Sequence, residues 1–465
     1  MGLTLTDTAF DSLALKADLL SNLASLDYHQ MTPIQGQSLP HILAGKDVIA
    51  QGKTGSGKTA AFGLGLLQAL DVKRFRVQSL VLCPTRELAD QVAKEIRRLA
   101  RSIHNIKVLT LCGGTPFGPQ IGSLEHGAHI VVGTPGRIVE HINKGRLKLE
   151  DVNCFVLDEA DRMLEMGFQP DLETIVAALP AQRQNLLFSA TFPAQINSMA
   201  KNIMDAPEVI KVASTHEQSS ISQHFYEVDS HEAKLEAIRL LIMQHQPESC
   251  VIFCNMKKDT QEVAQELLNY GFSAAALNGD LEQRDRDQTL ARFANKSINI
   301  LVATDVAARG LDIDALDAVI NYQLSHDPEV HVHRIGRTGR AGSKGIACSL
   351  VSLKDTQKVI ALEDYLQQTI TPESLPPVSV MNQALPVPNM VTLRIDGGKK
   401  QKVRPGDILG ALTGKTGIDG STVGKIQVFE FYAYVAVRRD VAKAALKKIQ
   451  EGKIKGRSFK ISRLR

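Results

Sequence analysis

No stretch of this 465-residue sequence reaches the 18 or so consecutive apolar residues that a membrane-spanning helix needs. The N-terminal Met-Gly-Leu-Thr-Leu-Thr-Asp lacks the basic and apolar regions of a secretory signal. None of the six cysteines forms a C-x-x-C pair; they are scattered, mostly in apolar runs. That pattern reads as buried, reduced thiols in a cytoplasmic protein. The overall charge is weak as well, a net +4, and says little until it is divided along the chain. The length is too great for one ordinary domain and suggests about three.

Divided, the charge is lopsided. From Asn389 to Arg465 there are 18 Lys and Arg against 6 Asp and Glu, a net +12. The first 388 residues carry 36 against 44, a net −8. A basic module on a mildly acidic body points to a polyanion partner for the tail. A solvated lysine-rich surface has the same composition, so charge alone leaves both readings open.

The chain is organised around Gly52-Lys-Thr54-Gly55-Ser56-Gly57-Lys58-Thr59, a G-x-x-x-x-G-K-T phosphate-cradling loop. The apolar Asp47–Gln51 before it reads as a buried strand, and Thr59–Gln68 after it as a helix. Glycines allow a tight turn, so that several N–H groups point at one anion. The helix N-terminus adds its positive dipole end. Lys58 is placed to reach the β- and γ-phosphates, and Thr59 to hold Mg²⁺ through its hydroxyl. About 100 residues on, Asp158-Glu159-Ala160-Asp161 follows the apolar run Cys154–Leu157. A carboxylate at the end of a buried strand fits an Mg²⁺-holding Asp158, and Glu159 beside it can deprotonate the attacking water.

Residues 1–212 alternate strand-like runs with helical stretches, which implies a parallel sheet covered by helices. The strand candidates include Ser79–Cys83, Ile130–Gly133, Cys154–Leu157 and Asn185–Phe188. Ala213–Ser220 reads as a linker. A second alternating block, 213–370 with that linker, has strand candidates Cys250–Cys254, Ser273–Leu277, Ile298–Ala303, Ala318–Gln323 and Ile346–Val351, but no phosphate loop. Residues 371–388 contain five prolines and read as a stiff, extended connector rather than a core element. The tail, 389–465, has the order βαββαβ, that of a ferredoxin-like or RNA-recognition module.

With the tetrapeptide Asp158–Asp161 in view, the first 370 or so residues resemble a DEAD-box RNA helicase. The motifs stand in that family's order. They run Pro84-Thr85-Arg86-Glu87-Leu88, Gly113-Gly114, Thr134-Pro135-Gly136-Arg137, Ser189-Ala190-Thr191, Gln283-Arg284-Asp285-Arg286, Ala303-Thr304-Asp305, Ala308-Arg309-Gly310-Leu311-Asp312 and His333 to Arg340. An adenine-reading segment, Tyr28 to Gln35 with Phe10 upstream, is also present. It departs from the family pattern at Asp27, where glycine is usual, and at Met31, where proline is usual.

The resemblance implies two tandem RecA-like domains with ATP and Mg²⁺ in the cleft between them. Gln35 has the donor and acceptor that match an adenine edge, and Tyr28 offers a stacking face. Gly310 and Asp312 match the family's nucleotide-contacting positions, Asp312 on the ribose. Arg337 and Arg340, on the domain without a phosphate loop, match arginine fingers for the γ-phosphate. Ser189 and Thr191, with Asp161 and His333 as neighbours, match the element that couples ATP to RNA. RNA contacts carry over to Thr85, Arg86, Gly114, Thr134 and Arg137 in the first domain, and to Gly279, Gln283, Arg286 and Thr304 in the second. Such contacts go mainly to phosphates and 2′-hydroxyls and carry no sequence preference. His331-Val-His333 has ligand-like spacing, but His333 already belongs to the last motif.

The tail resembles the C-terminal RNA-recognition domain of bacterial DbpA-type helicases, through Val423-Gly424-Lys425-Ile426 and Tyr434-Val435-Ala436-Val437. That implies binding to a hairpin of 23S rRNA on pre-50S particles. Phe429, Phe431, Tyr432 and Tyr434 are candidates to stack on bases; by strand alternation Tyr432 and Tyr434 face one side, and a core position for either is the equal alternative. The expected activity is ATP-dependent local unwinding of short RNA duplexes. An ATP-gated clamp that unwinds little is the alternative, and a scaffold with a relic ATP site fits poorly with intact Lys58, Asp158, Glu159, Arg337 and Arg340.

Overall fold

The computed structural model describes residues 9–52, 55–191, 194–212, 221–308, 316–339, 345–414 and 417–464. The chain divides into two compact units near residue 215. The interdomain linker read at 213–220 lies outside the described residues.

In the first unit, short apolar runs form β1 (Val48–Gln51), β2 (Ser79–Leu82), β3 (Val108–Leu111), β4 (Ile130–Gly133), β5 (Cys154–Asp158), β6 (Gln184–Ser189) and β7 (Glu208–Lys211). They make one parallel sheet in the order β3-β4-β2-β5-β6-β1-β7. Runs that are apolar at every position suit strands covered on both faces. Alternate residues confirm this: Val81 and Val156 join one apolar cluster, whereas Leu80, Leu82, Phe155 and Leu157 join another. The helix Lys58–Ala69 is almost wholly buried, because it packs against the helices Pro33–Leu43 and Arg86–Leu99 and, through Phe62, on Phe188 of β6.

The second unit repeats the plan with β8 (Ile221–Glu227), β9 (Cys250–Cys254), β10 (Ala274–Leu277), β11 (Ile300–Thr304), β12 (Ala318–Asn321) and β13 (Gly345–Val351). Its parallel order is β10-β11-β9-β12-β13-β8. The same unit holds the tail, with β14 (Met390–Ile395), β15 (Val423–Val428), β16 (Ala433–Arg438) and β17 (Ile461–Arg463). These form an antiparallel sheet in the order β15-β16-β14-β17, with the helices Pro405–Thr413 and Ala442–Glu451 packed into its core. The α/β fold with two RecA-like sheets and a βαββαβ tail is therefore the one expected.

Two features differ from the sequence reading. The proline-rich connector is not separate from the core. Val380 is buried in the second domain's apolar cluster, and Leu375, Met381 and Leu385 pack against it. Its carbonyls are also held, Ala384 by Gln246 and Pro386 by Asn299. The apolar residues between the prolines outweigh the stiffness that the prolines give.

The tail, in turn, is docked on the second RecA-like domain. Thr392, 1% exposed, bonds to both Asn295 and Ser297, with Ser297 Oγ 2.6 Å from its hydroxyl. Tyr432 donates from its hydroxyl to Asp287 Oδ2 at 3.2 Å. Tyr432, Phe429 and Tyr434 form one aromatic cluster, and Tyr434 is fully buried. Tyr434 is thus a core residue and not a base-stacking platform. Phe431 is the exposed member of the four, at 56%.

Thr392→Val keeps the side-chain shape but strips the shared hydroxyl from Asn295 and Ser297. We expect a loss of about 1–3 kcal/mol in tail docking. Hydrogen exchange should show it as faster exchange in β14 with the first domain unchanged.

Candidate active site

β1 ends at the glycine loop. Gly55 and Gly57 have left-handed φ values of 82° and 94°, which favour glycine. A Cβ on Gly57 would also stand 2.4 Å from Gln35 Nε2. Lys58 begins the next helix, is buried, and donates from Nζ to the Gly52 carbonyl at 2.8 Å. Thr59 follows in the first turn, and the Ser56 hydroxyl is buried with no partner among the described residues.

The segment that the resemblance reads as adenine-recognising is bound to this loop. Gln35 donates from Nε2 to Gly57 O at 3.1 Å and accepts from Thr32 N at 2.8 Å. Thr32 donates from Oγ1 to Ser56 O at 2.7 Å. Phe10 is buried and meets the Tyr28 ring edge-on, 6.2 Å between centroids. Asp27, the departure from the family's glycine, sits at φ 59°. The turn needs a left-handed residue, and Asp is one of the few others that tolerate it.

β5 delivers the acidic cluster. Asp158, Glu159 and Asp161 are all buried. Burial pushes the Asp158 carboxyl up to about 7 against the pull of Lys58, with Glu159 adding to the rise. Its Oδ1 has no hydrogen-bond partner among the described residues. Glu159 takes a left-handed φ of 54° at the start of the helix Ala160–Glu165. Such a conformation is strained for a non-glycine residue and marks functional sites. Asp161 behaves oppositely. Burial raises it, but the Arg162 charge and hydrogen bonds from Ser189 and Thr191 outweigh that and hold it below the usual carboxylate range. Thr191 donates to Asp161 Oδ2 from its backbone N at 3.0 Å and from its hydroxyl at 2.9 Å. Asp161 N donates to Ser189 Oγ at 3.3 Å. The residues of this domain that the resemblance reads as the coupling element are therefore in direct contact.

An orphaned buried carboxylate oxygen beside a glycine loop suits a hard cation. No group of three or more His, Cys, Asp or Glu among the described residues is arranged to hold a metal by itself. That fits Mg²⁺, which takes one or two protein oxygens and completes its shell with water and phosphate.

The residues read as RNA contacts in the first domain follow β2, β3 and β4. Thr85 caps the helix Arg86–Leu99. Gly114 has φ 70°, and Gly113 N donates to Thr134 Oγ1 at 3.4 Å. Arg137 donates to Thr115 O at 3.2 Å, pairs with Glu140 and lies over Phe117; its side chain is only 11% exposed. Gly114, Thr134 and Arg137 thus share one surface of the sheet edge. In the second domain Gly279 and Gln283 follow β10, and Thr304 ends β11. Arg286 joins the two by donating to Ala307 O at 2.8 Å.

His333 lies in the helix Pro328–Ile335, and Arg337 follows it, with its carbonyl held by Leu316 N at 3.1 Å. Thr54, Gly310, Asp312 and Arg340 lie outside the described residues. His331 is buried against Phe225, and burial lowers its pKa to about 4, so it is a neutral core histidine.

Sequence reasoning gave no role to Arg334, although it lies inside a quoted motif. Its buried guanidinium grips Asp305 with both arms at 2.7 Å and reaches Asn255 and Gln323 O at 2.8 Å. Only its place inside the His333–Arg340 motif hinted at this; its partners come from three different strand ends.

Two parallel sheets, one bearing a phosphate loop and acidic cluster and the other a basic motif, define an ATP-driven enzyme of RecA-like build. Family models place it further: DEAD/DEAH box helicase matches residues 32–199, Helicase conserved C-terminal domain 233–342, and DbpA RNA binding domain 392–463. The chain is 54% identical over 459 residues to the ATP-dependent RNA helicase DbpA of Escherichia coli, covering 98% of this chain and 100% of that protein. It is 44% identical over 357 residues to the DEAD-box ATP-dependent RNA helicase CshA of Geobacillus kaustophilus, covering 77% and 76%. Saccharomyces cerevisiae Dbp5 bound to RNA and ADP BeF3 superposes with a TM-score of 0.70 at 30% identity, covering 79% of this chain and 96% of that one. The chain belongs to the DEAD-box ATP-dependent RNA helicases, and within them to the DbpA type.

Folding raises the Asp158 pKa from its ordinary value to about 7. Between those values the folded state keeps a proton that the unfolded chain releases, so stability falls as pH rises. Asp158→Asn should therefore raise Tm, with a gain that grows across that window and levels off above it. A Tm difference that stays flat from about pH 4 to about pH 8 would contradict the shift.

Proposed function

We propose that this helicase is targeted by its tail to a hairpin of 23S ribosomal RNA, and that it remodels short neighbouring duplexes during assembly of the large (50S) subunit. The observation that carries this reading is the tail itself. It is a +12 module, matched by the DbpA RNA binding model and fixed to the second domain beside the helix that starts at Gln283. A hairpin held there presents its flanking duplex to the core at a set position. No helix among the described residues is long and apolar enough to cross a membrane, and all six cysteines are free and buried. Free thiols favour a cytoplasmic setting.

In the reaction, the glycine loop and Lys58 hold the phosphates of ATP. Thr59 and Asp158 would hold Mg²⁺, which when bound neutralises charge on the phosphates. Glu159 takes the proton of the attacking water. Gln35 and Tyr28, with Phe10 behind them, select adenine. Domain closure brings Arg337 and Arg340 to the γ-phosphate, with Gly310 and Asp312 on the nucleotide. Asp161, Ser189, Thr191 and His333 relay that closure. Thr85, Arg86, Gly114, Thr134 and Arg137 grip RNA from one domain; Gly279, Gln283, Arg286 and Thr304 grip it from the other. What supports this set is that, among the described residues, Lys58 and Thr59, Thr85 and Arg86, Gly114, Thr134 and Arg137, Asp158 to Asp161, and Ser189 and Thr191 stand at or after the carboxyl ends of parallel strands in the first domain, as Gly279, Gln283 and Thr304 do in the second.

Glu159→Gln should leave ATP binding nearly intact and slow hydrolysis about a hundredfold or more. Near-normal turnover would show the base to be elsewhere. Arg337→Ala should cost on the order of a thousandfold in turnover with a smaller effect on ATP affinity. Loss of affinity at an unchanged maximal rate would contradict the finger role. The targeting itself is tested by ATPase stimulation. A 23S fragment carrying the hairpin should half-saturate the enzyme at about a tenfold lower concentration, or less, than random RNA of equal length. Equal stimulation by both RNAs would overturn the ribosomal reading.

A further inference from the structure

Tyr28 sits on an exposed turn, yet its ring is held on several sides. Its hydroxyl donates to Glu95 Oε1 at 3.0 Å. The other carboxylate oxygen of Glu95 accepts from Arg98 at 3.3 Å. The Arg98 guanidinium returns over the Tyr28 ring, 5.2 Å from its centroid. Burial and the Glu95 charge both push the Tyr28 phenol up, so the hydroxyl stays a donor to the carboxylate. Both partners lie on the helix Arg86–Leu99, 67 or more residues away in sequence. A second stitch joins the same two segments. Buried Asn22 donates from Nδ2 to the carbonyls of Arg98 and Leu99, at 3.1 and 2.8 Å, at the end of that helix.

We infer that Glu95 and Arg98 are positioning residues for the adenine-facing ring of Tyr28. The inference rests on the reading of Tyr28 as the adenine platform. An unbraced tyrosine on a turn must give up rotamer freedom when a base stacks on it. Here the hydroxyl is anchored at the far end of the ring, and Phe10 sets its edge. The guanidinium lies over the ring 5.2 Å from its centroid, and the ring also packs against the first domain's apolar cluster. The ring is thus ordered before the nucleotide arrives. Neither Glu95 nor Arg98 touches ATP in this scheme; they act through Tyr28.

The test uses the full chain with saturating RNA, reading KM for ATP and kcat separately. Glu95→Ala and Tyr28→Phe should each raise KM about threefold to tenfold with kcat unchanged, as expected for the loss of one charge-assisted hydrogen bond. The double variant should be no worse than either single one. Glu95→Gln, which keeps an acceptor for the hydroxyl, should recover most of the affinity. Arg98→Met should raise KM in the same direction. Thermal melting of each variant separates these effects from loss of fold. If Tyr28→Ala leaves both KM for ATP and the preference for ATP over GTP unchanged, the adenine reading itself fails. If Tyr28→Ala raises KM but Glu95→Ala and Tyr28→Phe do not, the platform stands and the brace is overturned. Additive losses in the double variant, or Glu95→Gln as impaired as Glu95→Ala, would overturn it as well.

Discussion

Strands that run parallel place all their carboxyl ends on one edge of the sheet, and the arrangement of this helicase depends on that constraint. In the first domain, β5, β6 and β1 are neighbours and carry the acidic cluster, the Ser189–Thr191 segment and the glycine loop. β3, β4 and β2 are also neighbours and carry the loops read as RNA-facing. In sequence the glycine loop after β1 is cut off from the acidic cluster after β5 by the three loops read as RNA-facing; the sheet order brings β1 beside β6 and β5 and so sorts the motifs into two halves. The halves abut where β2 pairs with β5. Adjacent strands lie about 4.8 Å apart, so one strand spacing separates the backbone that leads to the residues read as nucleotide contacts from the backbone that leads to those read as RNA contacts.

Within that edge, two carboxylates three residues apart are driven in opposite directions. Asp158 has lost water and has an orphaned oxygen, so burial pushes it up to about 7. Asp161 is equally buried, but Arg162, Ser189 and Thr191 hold it ionised. Environment, not residue type, divides the labour between paired carboxylates. One group is left wanting a cation. The other is already satisfied, and by the residues of β6 that the family resemblance makes the link to RNA.

The sequence was most legible where a buried strand ran straight into a motif. β1, β4, β5 and β9 stand within a residue of their expected bounds, because a short run apolar on both faces leaves few alternatives. β3, β7 and β8 were not anticipated. Each lies at a sheet edge, half covered, and in β7 only Ile210 of Glu-Val-Ile-Lys is buried. Edge strands lose the continuous apolar pattern and gain polar residues. The connector deceived for a different reason. Its prolines dominate the composition, while Val380 and its apolar neighbours do the packing. Among the candidate site residues, Lys58, Asp158 and Glu159 could be singled out because chemistry ties them to short motifs at strand ends, whereas Ser189 and Thr191 came only from the family resemblance. Glu95 and Tyr28 were not legible as a pair, since their contact depends on how the turn after the helix Ala17–Ser25 packs on the distant helix Arg86–Leu99.

Arg334 shows what the second domain needs in order to use the same edge without a phosphate loop. A fully buried guanidinium is costly unless every donor is matched. Here it is matched by Asp305 after β11, Asn255 after β9, and Asn321 and Gln323 at and beyond the end of β12. Those three strands are neighbours in the sheet. Phe253 of β9 lies under the same group, 5.3 Å away. The planar fork of arginine can meet a carboxylate and several carbonyls at once, which a lysine point charge cannot. One side chain therefore ties the turn that leads to Arg337 to the strand end that carries Thr304. Residues read as facing ATP and RNA are held to each other through a core contact.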